Sequence, residues 1–355
     1  MDDTYFMKLA FQEAKKARGS TWTNPLVGAL IVKENQILSR GYHHLFGGDH
    51  AEVEAFKGLV NPNQAEGATM YVTLEPCSHY GKTPPCALKI TKMGIHRVVI
   101  GQKDPNPLVC GKGIQILKEA GIQVTVLGVT AKMNEKYNFF YQQKRPFITL
   151  KYAMTLDGKI NFEHGRRSLV SNHAAYLDSQ KLRAAQQAIL IGENTLMIDN
   201  PHLTIRTQKL AFEPIRILLV KDVDKLDPNL KIFTTNSPIW ILSRHVSKRK
   251  WLPNILVFTD KNWAVTKILE FLTLHGIQSL LVEGGSHVQA AFVRKQLVDE
   301  LVVYMAPKLF GGTALPAIRG VESLKVLDMK ITKVKQLADN IRIEARRNDF
   351  VYRNY

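Results

Sequence analysis

The stretch TLEPCSHYGKTPPC at residues 73–86, together with HAE at residues 50–52, decides how the first half of the chain is interpreted. His50, Cys77 and Cys86 offer the nitrogen and sulfur atoms that zinc prefers, and three protein ligands leave the fourth tetrahedral position open for water. Glu52 follows His50 by two residues, so on a helix it points to another side and is expected to reach the open face of the metal. A carboxylate there can take a proton from water and pass it to a leaving amine. The pattern predicts a catalytic zinc site with Glu52 as its acid/base group.

The composition is that of an ordinary globular protein, with 45% hydrophobic and 22% charged residues, and a length of 355 residues favours two domains. We expect a cytoplasmic protein without membrane association, because we find no apolar run long enough to cross a bilayer and no apolar signal core at the N-terminus. The three cysteines exclude a disulfide framework, and Cys110 is expected to be a free thiol.

The net charge of +17 is compatible with binding to nucleic acid or to phosphorylated small molecules. The basic residues are spread over the whole length, with only short clusters such as Lys248-Arg249-Lys250. Diffuse charge is weak evidence for a nucleic-acid interface, so we expect no nucleic-acid partner.

Helices and strands alternate in the first half, which predicts an α/β sheet covered by helices. The patterns predict helices over residues 4–18, 50–59, 85–93 and 112–120, and strands over residues 27–32, 37–42, 69–74, 97–101 and 123–127. Asp49 is expected to cap the helix that starts at His50, and Pro85 is expected in the first turn of its helix. His50 and Cys86 would then lie at helix starts, where free N–H groups lower a thiol pKa.

The run Lys144-Arg145-Pro146 breaks any helix, and the boundary placed there gives domains 1–145 and 146–355. The second half is also predicted to be α/β, with strands over residues 147–152, 188–192, 215–220, 239–242, 279–282 and 301–305 and helices such as 173–187 and 288–295. Gly284-Gly285 joins a strand to a helix, where backbone N–H groups can approach an anion, although a bare tight turn explains this pattern equally well.

The zinc pattern resembles the signature of the cytidine deaminase superfamily, H-x-E followed by P-C-x-x-C. Here eight residues separate Cys77 from Cys86, and EPCSHYGKTPPC is similar to the deaminase half of the bifunctional deaminase/reductases of riboflavin biosynthesis. NPLVG at residues 24–28 and DPNP at residues 104–107 match two further motifs of that family. The resemblance implies that the substrate's pyrimidine, ribose or phosphate is contacted by Asn24, His43, Lys82, Asp104 and Asn106.

KYAMTLDGKI at residues 151–160 resembles the opening motif of the family's reductase half, which has the dihydrofolate reductase fold. GENTLMIDNP at residues 192–201 and LTIR at residues 203–206 resemble its central motif. The family often has an aromatic residue at position 169 and a second acid at position 200, where this chain has Leu169 and Asn200. The resemblance implies that the substrate is bound by Lys151, Arg167, Arg183, Leu203, Arg206 and Glu283, and NADPH by Met154, Leu169, Thr195, Asp199, Gly284 and Gly285.

The resemblance implies an N-terminal cytidine-deaminase-like α/β/α domain followed by a dihydrofolate-reductase-like α/β domain, with zinc and NADPH as cofactors. The first domain would deaminate 2,5-diamino-6-(5-phosphoribosylamino)pyrimidin-4(3H)-one by hydrolysis. The second would reduce the ribosyl group to ribityl with NADPH, which gives 5-amino-6-(5-phosphoribitylamino)uracil. The expected partner is a small phosphorylated pyrimidine, and a homo-oligomer is expected.

Four alternatives stay open at this point. The first is a closed structural zinc site with His79 or His44 as the fourth ligand. The second is a zinc deaminase that edits nucleic acid and carries an accessory domain. The others are a reductase whose deaminase domain serves only as a scaffold, and a regulatory zinc module without enzymatic activity.

Overall fold

The computed structural model describes residues 1–80, 84–163, 165–320 and 326–348. The chain forms two compact units, the first of which is Met1–Lys144, while the second begins at Arg145. None of the helices in the described ranges is long and apolar enough to cross a membrane.

The first unit contains five α-helices and five strands among its described residues. The helices are α1 (Asp3–Ala14), α2 (Ala51–Lys57), α3 (Cys86–Lys92), α4 (Lys112–Glu119) and α5 (Glu135–Gln143). The strands are β1 (Gly28–Lys33), β2 (Gln36–Tyr42), β3 (Thr69–Leu74), β4 (Arg97–Gln102) and β5 (Gln123–Val126). They form one sheet in the order β2-β1-β3-β4-β5, in which β1 is antiparallel to β2 and β3, while β3, β4 and β5 are parallel.

Helices cover both faces of this sheet, because side chains on successive strand residues point to opposite sides. Leu30 and Val32 of β1 pack in a cluster with α1. Ala29 and Ile31 of the same strand pack in a second cluster with α2, α3 and α4. The unit is therefore an α/β/α sandwich.

The second unit is built around a larger sheet. Its helices are α6 (His173–Ala184), α7 (Glu193–Asp199), α8 (Val265–Leu274) and α9 (Ser286–Arg294). Its strands are β6 (Phe147–Thr155), β7 (Lys159–Asn161), β8 (Ala188–Gly192), β9 (Ile215–Val220), β10 (Ile239–Ser243), β11 (Ile255–Thr259), β12 (Ser279–Val282), β13 (Glu300–Ala306), β14 (Leu315–Pro316), β15 (Met329–Leu337) and β16 (Asn340–Arg347).

Nine of these strands form a sheet in the order β11-β10-β9-β8-β12-β6-β13-β16-β15. The strands from β11 to β13 are parallel, and β16 and β15 add an antiparallel edge. The central parallel strands β8, β9 and β12 are almost entirely buried, as expected when helices cover both faces of a sheet. Because their carboxyl ends meet at one edge, that edge is where an open α/β sheet binds ligands.

The α/β prediction is confirmed for both halves, and the strand over Thr69–Leu74 has the predicted ends. The predicted cap of α2 is wrong, because His50 occupies the N-cap position and the Asp49 carboxylate pairs with Lys57 instead. Pro85 likewise precedes α3 and does not lie in its first turn. Helix α6 ends at Ala184, before residue 187, because Gln187 already pairs with the neighbouring β12 segment.

Several elements had no counterpart in the predictions. In the first unit this holds for helix α5. In the second unit it holds for helices α7 and α8, the short strands β7 and β14, strand β11 and the hairpin of β15 and β16. Strand β15 is exposed along most of its length, and a register shift between Ile331 and Lys333 interrupts the period of two by which strands are recognised.

Candidate active sites

His50, Cys77 and Cys86 come together in the first unit. His50 precedes α2, Cys77 follows β3 and Cys86 begins α3, so three different elements each contribute one side chain. The Nδ1 atom of His50 lies 3.4 Å from Sγ of Cys77 and 3.3 Å from Sγ of Cys86. These atoms all lie within 4.8 Å of one another, which is the separation expected of ligands around a single metal ion.

The charges of this cluster fit a cation. Hydrogen bonding from Cys86 lowers the pKa of Cys77 to about 4, with further help from His50. Hydrogen bonding to the Cys77 thiolate in turn raises the pKa of Cys86 well above its ordinary value, and burial adds to this effect. A divalent cation between the two sulfur atoms would stabilise both thiolates, so the donor set is chemically suited to zinc.

His79 and His44 are not part of this cluster in the described ranges. His44 is exposed, and its Nε2 lies 3.4 Å from the Glu54 carboxylate. A cluster of one histidine and two cysteines leaves a coordination position for water, as catalytic zinc sites do. The geometry therefore argues against the closed structural site with His79 or His44 as fourth ligand.

Glu52 lies beside the cluster in the first turn of α2 and is only 4% exposed. Burial raises the pKa of its carboxyl group to about 7, and the group also interacts with His50 and the Cys86 thiol. A carboxyl group with a pKa near neutrality can both accept and donate a proton, which is what an acid/base catalyst needs.

Asn24 and His43 form a fixed pair near His50. The Nδ1 of His43 lies 2.9 Å from the carbonyl oxygen of Asp49, which can only accept, so Nδ1 carries the proton. The Nε2 of His43 then accepts a hydrogen bond from the Asn24 side-chain amide at 3.0 Å. Burial lowers the pKa of His43, in agreement with a neutral ring. The His43 and His50 ring centroids are 5.6 Å apart, so the pair borders the ligand cluster.

Asp104 and Asn106 lie in the loop after β4. The Asn106 N–H donates to the Asp104 carboxylate at 2.8 Å, and Asp104 is buried. Burial raises the pKa of Asp104 to about 6. Lys82, the remaining predicted contact of this site, lies outside the described residues.

Glu75 holds the loop that carries Asp104 and was not predicted. One of its carboxylate oxygens accepts from the N–H groups of Asp104 at 3.2 Å and Gly111 at 3.0 Å, and the other from those of Gly113 at 3.1 Å and Ile114 at 3.3 Å. A Cβ atom at Gly113 would lie 2.0 Å from the carbonyl oxygen of Pro76, so the start of α4 packs directly on the residue before Cys77. The signal in the sequence that could have identified Glu75 is its position as an acidic residue directly after an apolar strand.

In the second unit, Glu283 joins Lys151 and Arg183. Arg183 donates to both carboxylate oxygens of Glu283, at 2.8 and 2.7 Å, and Lys151 Nζ lies 3.7 Å from the same group. Burial alone would raise the pKa of Glu283, but the two cations outweigh it and hold the pKa at about 2. Burial lowers the pKa of Lys151. The arginine predicted to bind the substrate's phosphate is thus already paired with a carboxylate.

A cavity of about 650 Å³ opens at the carboxyl ends of the parallel strands. Thr195, Asp199 and Gly285, three of the predicted cofactor residues, line it. Ser286 also lines it; its hydroxyl is buried and has no hydrogen-bond partner among the described residues. An unsatisfied buried hydroxyl at the start of a helix fits a phosphate group of a dinucleotide.

The other predicted residues of this unit lie in different surroundings. Gly284 is buried and does not line the cavity, and its carbonyl oxygen accepts a hydrogen bond from the Gln289 side chain. Leu203 is buried in the apolar core, so it can reach a substrate only through its backbone. Arg206 stacks over Tyr176 at 5.4 Å, and Arg167 is exposed. Met154 is half-buried in β6, and Leu169 is 74% exposed.

Comparisons with known proteins match both units. Residues 1–102 match the cytidine and deoxycytidylate deaminase zinc-binding region, and residues 146–343 match the RibD C-terminal domain. Riboflavin biosynthesis protein RibD of Bacillus amyloliquefaciens is 40% identical over 99% of this chain and 100% of its own length. The Escherichia coli protein of the same name is 34% identical over 91% of this chain and 93% of its own length.

Solved structures agree over the whole chain. RibD of Acinetobacter baumannii has a TM-score of 0.87 and 32% identity, covering 98% of this chain and 99% of its own. A Thermotoga maritima protein described as a diaminohydroxyphosphoribosylaminopyrimidine deaminase/5-amino-6-(5-phosphoribosylamino)uracil reductase has a TM-score of 0.85 and 33% identity, covering 97% and 98%.

These matches confirm the cytidine-deaminase-like fold of the first domain and the reductase fold of the second. They also explain why one chain carries a metal-ligand cluster in one unit and a cavity of about 650 Å³ at the strand ends of the other. The chain belongs to the RibD family, and it is a bifunctional deaminase and reductase of riboflavin biosynthesis.

Proposed function

We propose that the first domain hydrolytically deaminates 2,5-diamino-6-(5-phosphoribosylamino)pyrimidin-4(3H)-one with the help of zinc. The observation that carries this proposal is the convergence of His50, Cys77 and Cys86 beside the buried Glu52. When bound by these three ligands, zinc would supply a water of lowered pKa as the nucleophile. Glu52 takes the proton from that water and delivers it to the amine, which leaves as ammonia.

The surrounding side chains bind and orient the pyrimidine ribotide. Asn24 and Asn106 offer amide groups, and neutral His43 fixes the Asn24 amide through its Nε2. Asp104 accepts hydrogen bonds only, when it is ionised, so it is suited to an N–H or O–H group of the substrate and not to its phosphate. Lys82 supplies the positive charge for the phosphate.

We propose that the second domain reduces the ribosyl group of the deaminated product to ribityl, which gives 5-amino-6-(5-phosphoribitylamino)uracil. NADPH, when bound along the cavity with Thr195, Asp199, Gly284 and Gly285, with Met154 and Leu169 nearby, supplies the hydride. Glu283 holds Lys151 and Arg183 in place at the carboxyl ends of the strands. These two cations, with Arg167, Arg206 and the Leu203 backbone, position the sugar phosphate.

We further assign the deaminase to residues 1–145 and the reductase to residues 146–355. The proposed setting is the cytoplasm, in a homo-oligomer that acts on this small molecule and not on nucleic acid. The spread of the basic residues along the chain, without a long basic cluster, supports the last point.

Separate assays of the two half-reactions test the proposal. With the diaminopyrimidinone ribotide, Glu52→Ala should lose ammonia release, yet it should oxidise NADPH normally when given the deaminated intermediate. Lys151→Ala should show the reverse pattern. Loss of both activities in either folded variant would contradict the division of labour, and wild-type protein that releases no ammonia from the ribotide would contradict the proposed substrate.

A further inference from the structure

Helix α5 lies between the two regions that the family models match, since these end at residue 102 and begin at residue 146. Three polar side chains from its start nevertheless reach the loops of the deaminase site. Asn134 accepts from the Leu26 N–H and donates to the Leu26 carbonyl, both at 2.8 Å, two residues from Asn24. The Asn138 amide pairs with that of Gln102 at the end of β4, at 2.9 and 3.1 Å.

The third of these side chains is Tyr137, whose phenol contacts the Asp104 carboxylate. The hydroxyl lies 2.9 Å from Oδ1 and 3.2 Å from Oδ2 of Asp104, and both residues are buried. Burial and the neighbouring Asp104 raise the pKa of Tyr137 far above its ordinary value, so the phenol stays protonated and donates. A donor of this kind favours the ionised form of the carboxylate.

Asp104 is therefore held at two points. The Glu75 carboxylate fixes its backbone N–H, while Tyr137 fixes its side chain. The Asn106 N–H adds a second donor to Oδ1 at 2.8 Å, so among the described residues Oδ2 receives only the longer contact from Tyr137. The less occupied oxygen is the one that can accept a hydrogen bond from a ligand.

We propose that Tyr137 is a positioning residue of the deaminase, which keeps the Asp104 carboxylate ionised and oriented to accept a hydrogen bond from an N–H or O–H group of the pyrimidine ribotide. This inference rests on the proposed function of the first domain. It assigns a role in substrate binding to a helix outside both matched regions. The acceptor that Tyr137 prepares belongs to substrate binding and not to the proton transfer at Glu52.

Removal of the side-chain hydroxyl from each of two tyrosines on the same helix tests this inference. Tyr137→Phe removes the hydroxyl that contacts Asp104 and keeps the ring. Tyr141→Phe is the matched control. The Tyr141 ring packs on Tyr137 with the ring centroids 4.9 Å apart, and loss of the Tyr141 hydroxyl keeps the Tyr137 hydroxyl that contacts Asp104. In Y137F we expect the KM for the ribotide to rise about tenfold with kcat changed less than about threefold, which is the result of losing an oriented contact. Y141F should stay within about twofold of wild type in both constants.

The pH dependence of kcat/KM distinguishes the positioning role from a purely structural one, because a change in packing alone would not shift it. Losing the Tyr137 donor disfavours the ionised carboxylate, so the acidic limb, to which Asp104 contributes together with Glu52, should shift to higher pH in Y137F. Glu75 raises the pKa of Asp104, whereas His79 and the Asn106 N–H lower it, and the Tyr141 phenol also interacts electrostatically with Asp104; all four groups remain in Y137F. The Tyr137 hydroxyl also hydrogen-bonds the Asn106 side chain, so the test removes both partners: the triple variant D104N/N106A/Y137F should behave like D104N/N106A.

The outcomes separate this inference from the proposed function. Wild-type protein without ammonia release would overturn both. An active wild type with a Y137F variant of unchanged KM and unchanged acidic limb would overturn the positioning role alone, and so would equal losses in Y137F and Y141F. A Y137F protein that loses zinc or melts more than about 10 °C lower would show a structural role instead and would also overturn it.

Discussion

Glu52 and Glu283 are both buried carboxylates, and their surroundings shift their pKa values in opposite directions. Burial dominates at Glu52 and raises its pKa to about 7. At Glu283 two cations outweigh burial, so that its pKa is held at about 2. The first group can exchange a proton near neutral pH, whereas the second stays an anion throughout the physiological range. The same side chain thus suits proton transfer in one domain and the fixing of two cations in the other.

The two sites also differ in what holds them together. The first combines the readily ionised thiol of Cys77, the Cys86 thiol and the His50 imidazole, a donor set that would hold a cation. In the second, Glu283 already neutralises part of the charge of Lys151 and Arg183. The deaminase site should therefore depend on a metal ion for its integrity, and the reductase site should not.

Metal removal should give the largest contrast between the two sites. After treatment with a strong chelator, ammonia release should fall about 10³-fold or more, because the nucleophile is lost together with the charge that holds the two thiols as anions. NADPH oxidation with the deaminated intermediate should remain within about twofold of the untreated enzyme. Added zinc should restore ammonia release, while a parallel loss of the reductase would contradict the contrast.

Replacing each glutamate by glutamine should separate proton transfer from charge pairing. Glu283→Gln leaves Lys151 and Arg183 without their buried partner, so we expect the second domain to lose about 3 kcal/mol of stability and about 10²-fold in NADPH oxidation. Burial disfavours the ionised form of Glu52, and Glu52→Gln puts a neutral amide of the same shape in its place. It should abolish ammonia release without lowering the melting temperature.

The pH dependence of this stability loss has a defined sign. Because the pKa of Glu283 is lowered in the folded state from 4.5, its stabilising effect is fully present above about pH 4.5 and is lost as the pH falls toward 2. The part of the difference in unfolding free energy between E283Q and wild type that comes from the Glu283 charge should thus be fully present above about pH 5 and should shrink as the pH falls toward 2. An E52Q protein that is destabilised as much as E283Q would show that the two carboxylates do not differ as described.

The features that depend on local sequence patterns were predicted correctly. The strand before Cys77 and the α/β alternation follow from hydrophobic periodicity, and the structure brings His50, Cys77 and Cys86 together as their residue types suggested. The spacing of these three residues also carried the resemblance to the family.

Contacts between distant segments were beyond such patterns. Arg183 and Glu283 are 100 residues apart, and the local sequence around either residue contains no pattern that predicts their ion pair. The role of Glu75 depends on a loop about 30 residues further on, whose backbone N–H groups it binds. Helix α5 was missed because its aromatic residues obscure the apolar period, although Tyr137 connects it to Asp104. In each case the missing information was the tertiary partner.

The smallest predicted effect concerns the packing behind the proposed cofactor site. A Cβ atom at Gly192 would lie 2.7 Å from Cγ2 of Val288, and both residues line the cavity. Gly192→Ala should therefore push the start of α9 away from the end of β8 and raise the KM for NADPH about fivefold, with kcat little changed. Val288→Ala removes the atom that clashes, so the double variant G192A/V288A should regain most of the lost affinity. Ammonia release should be unaffected in all three proteins, and a double variant as weak as G192A would show that the contact with Val288 is not the cause.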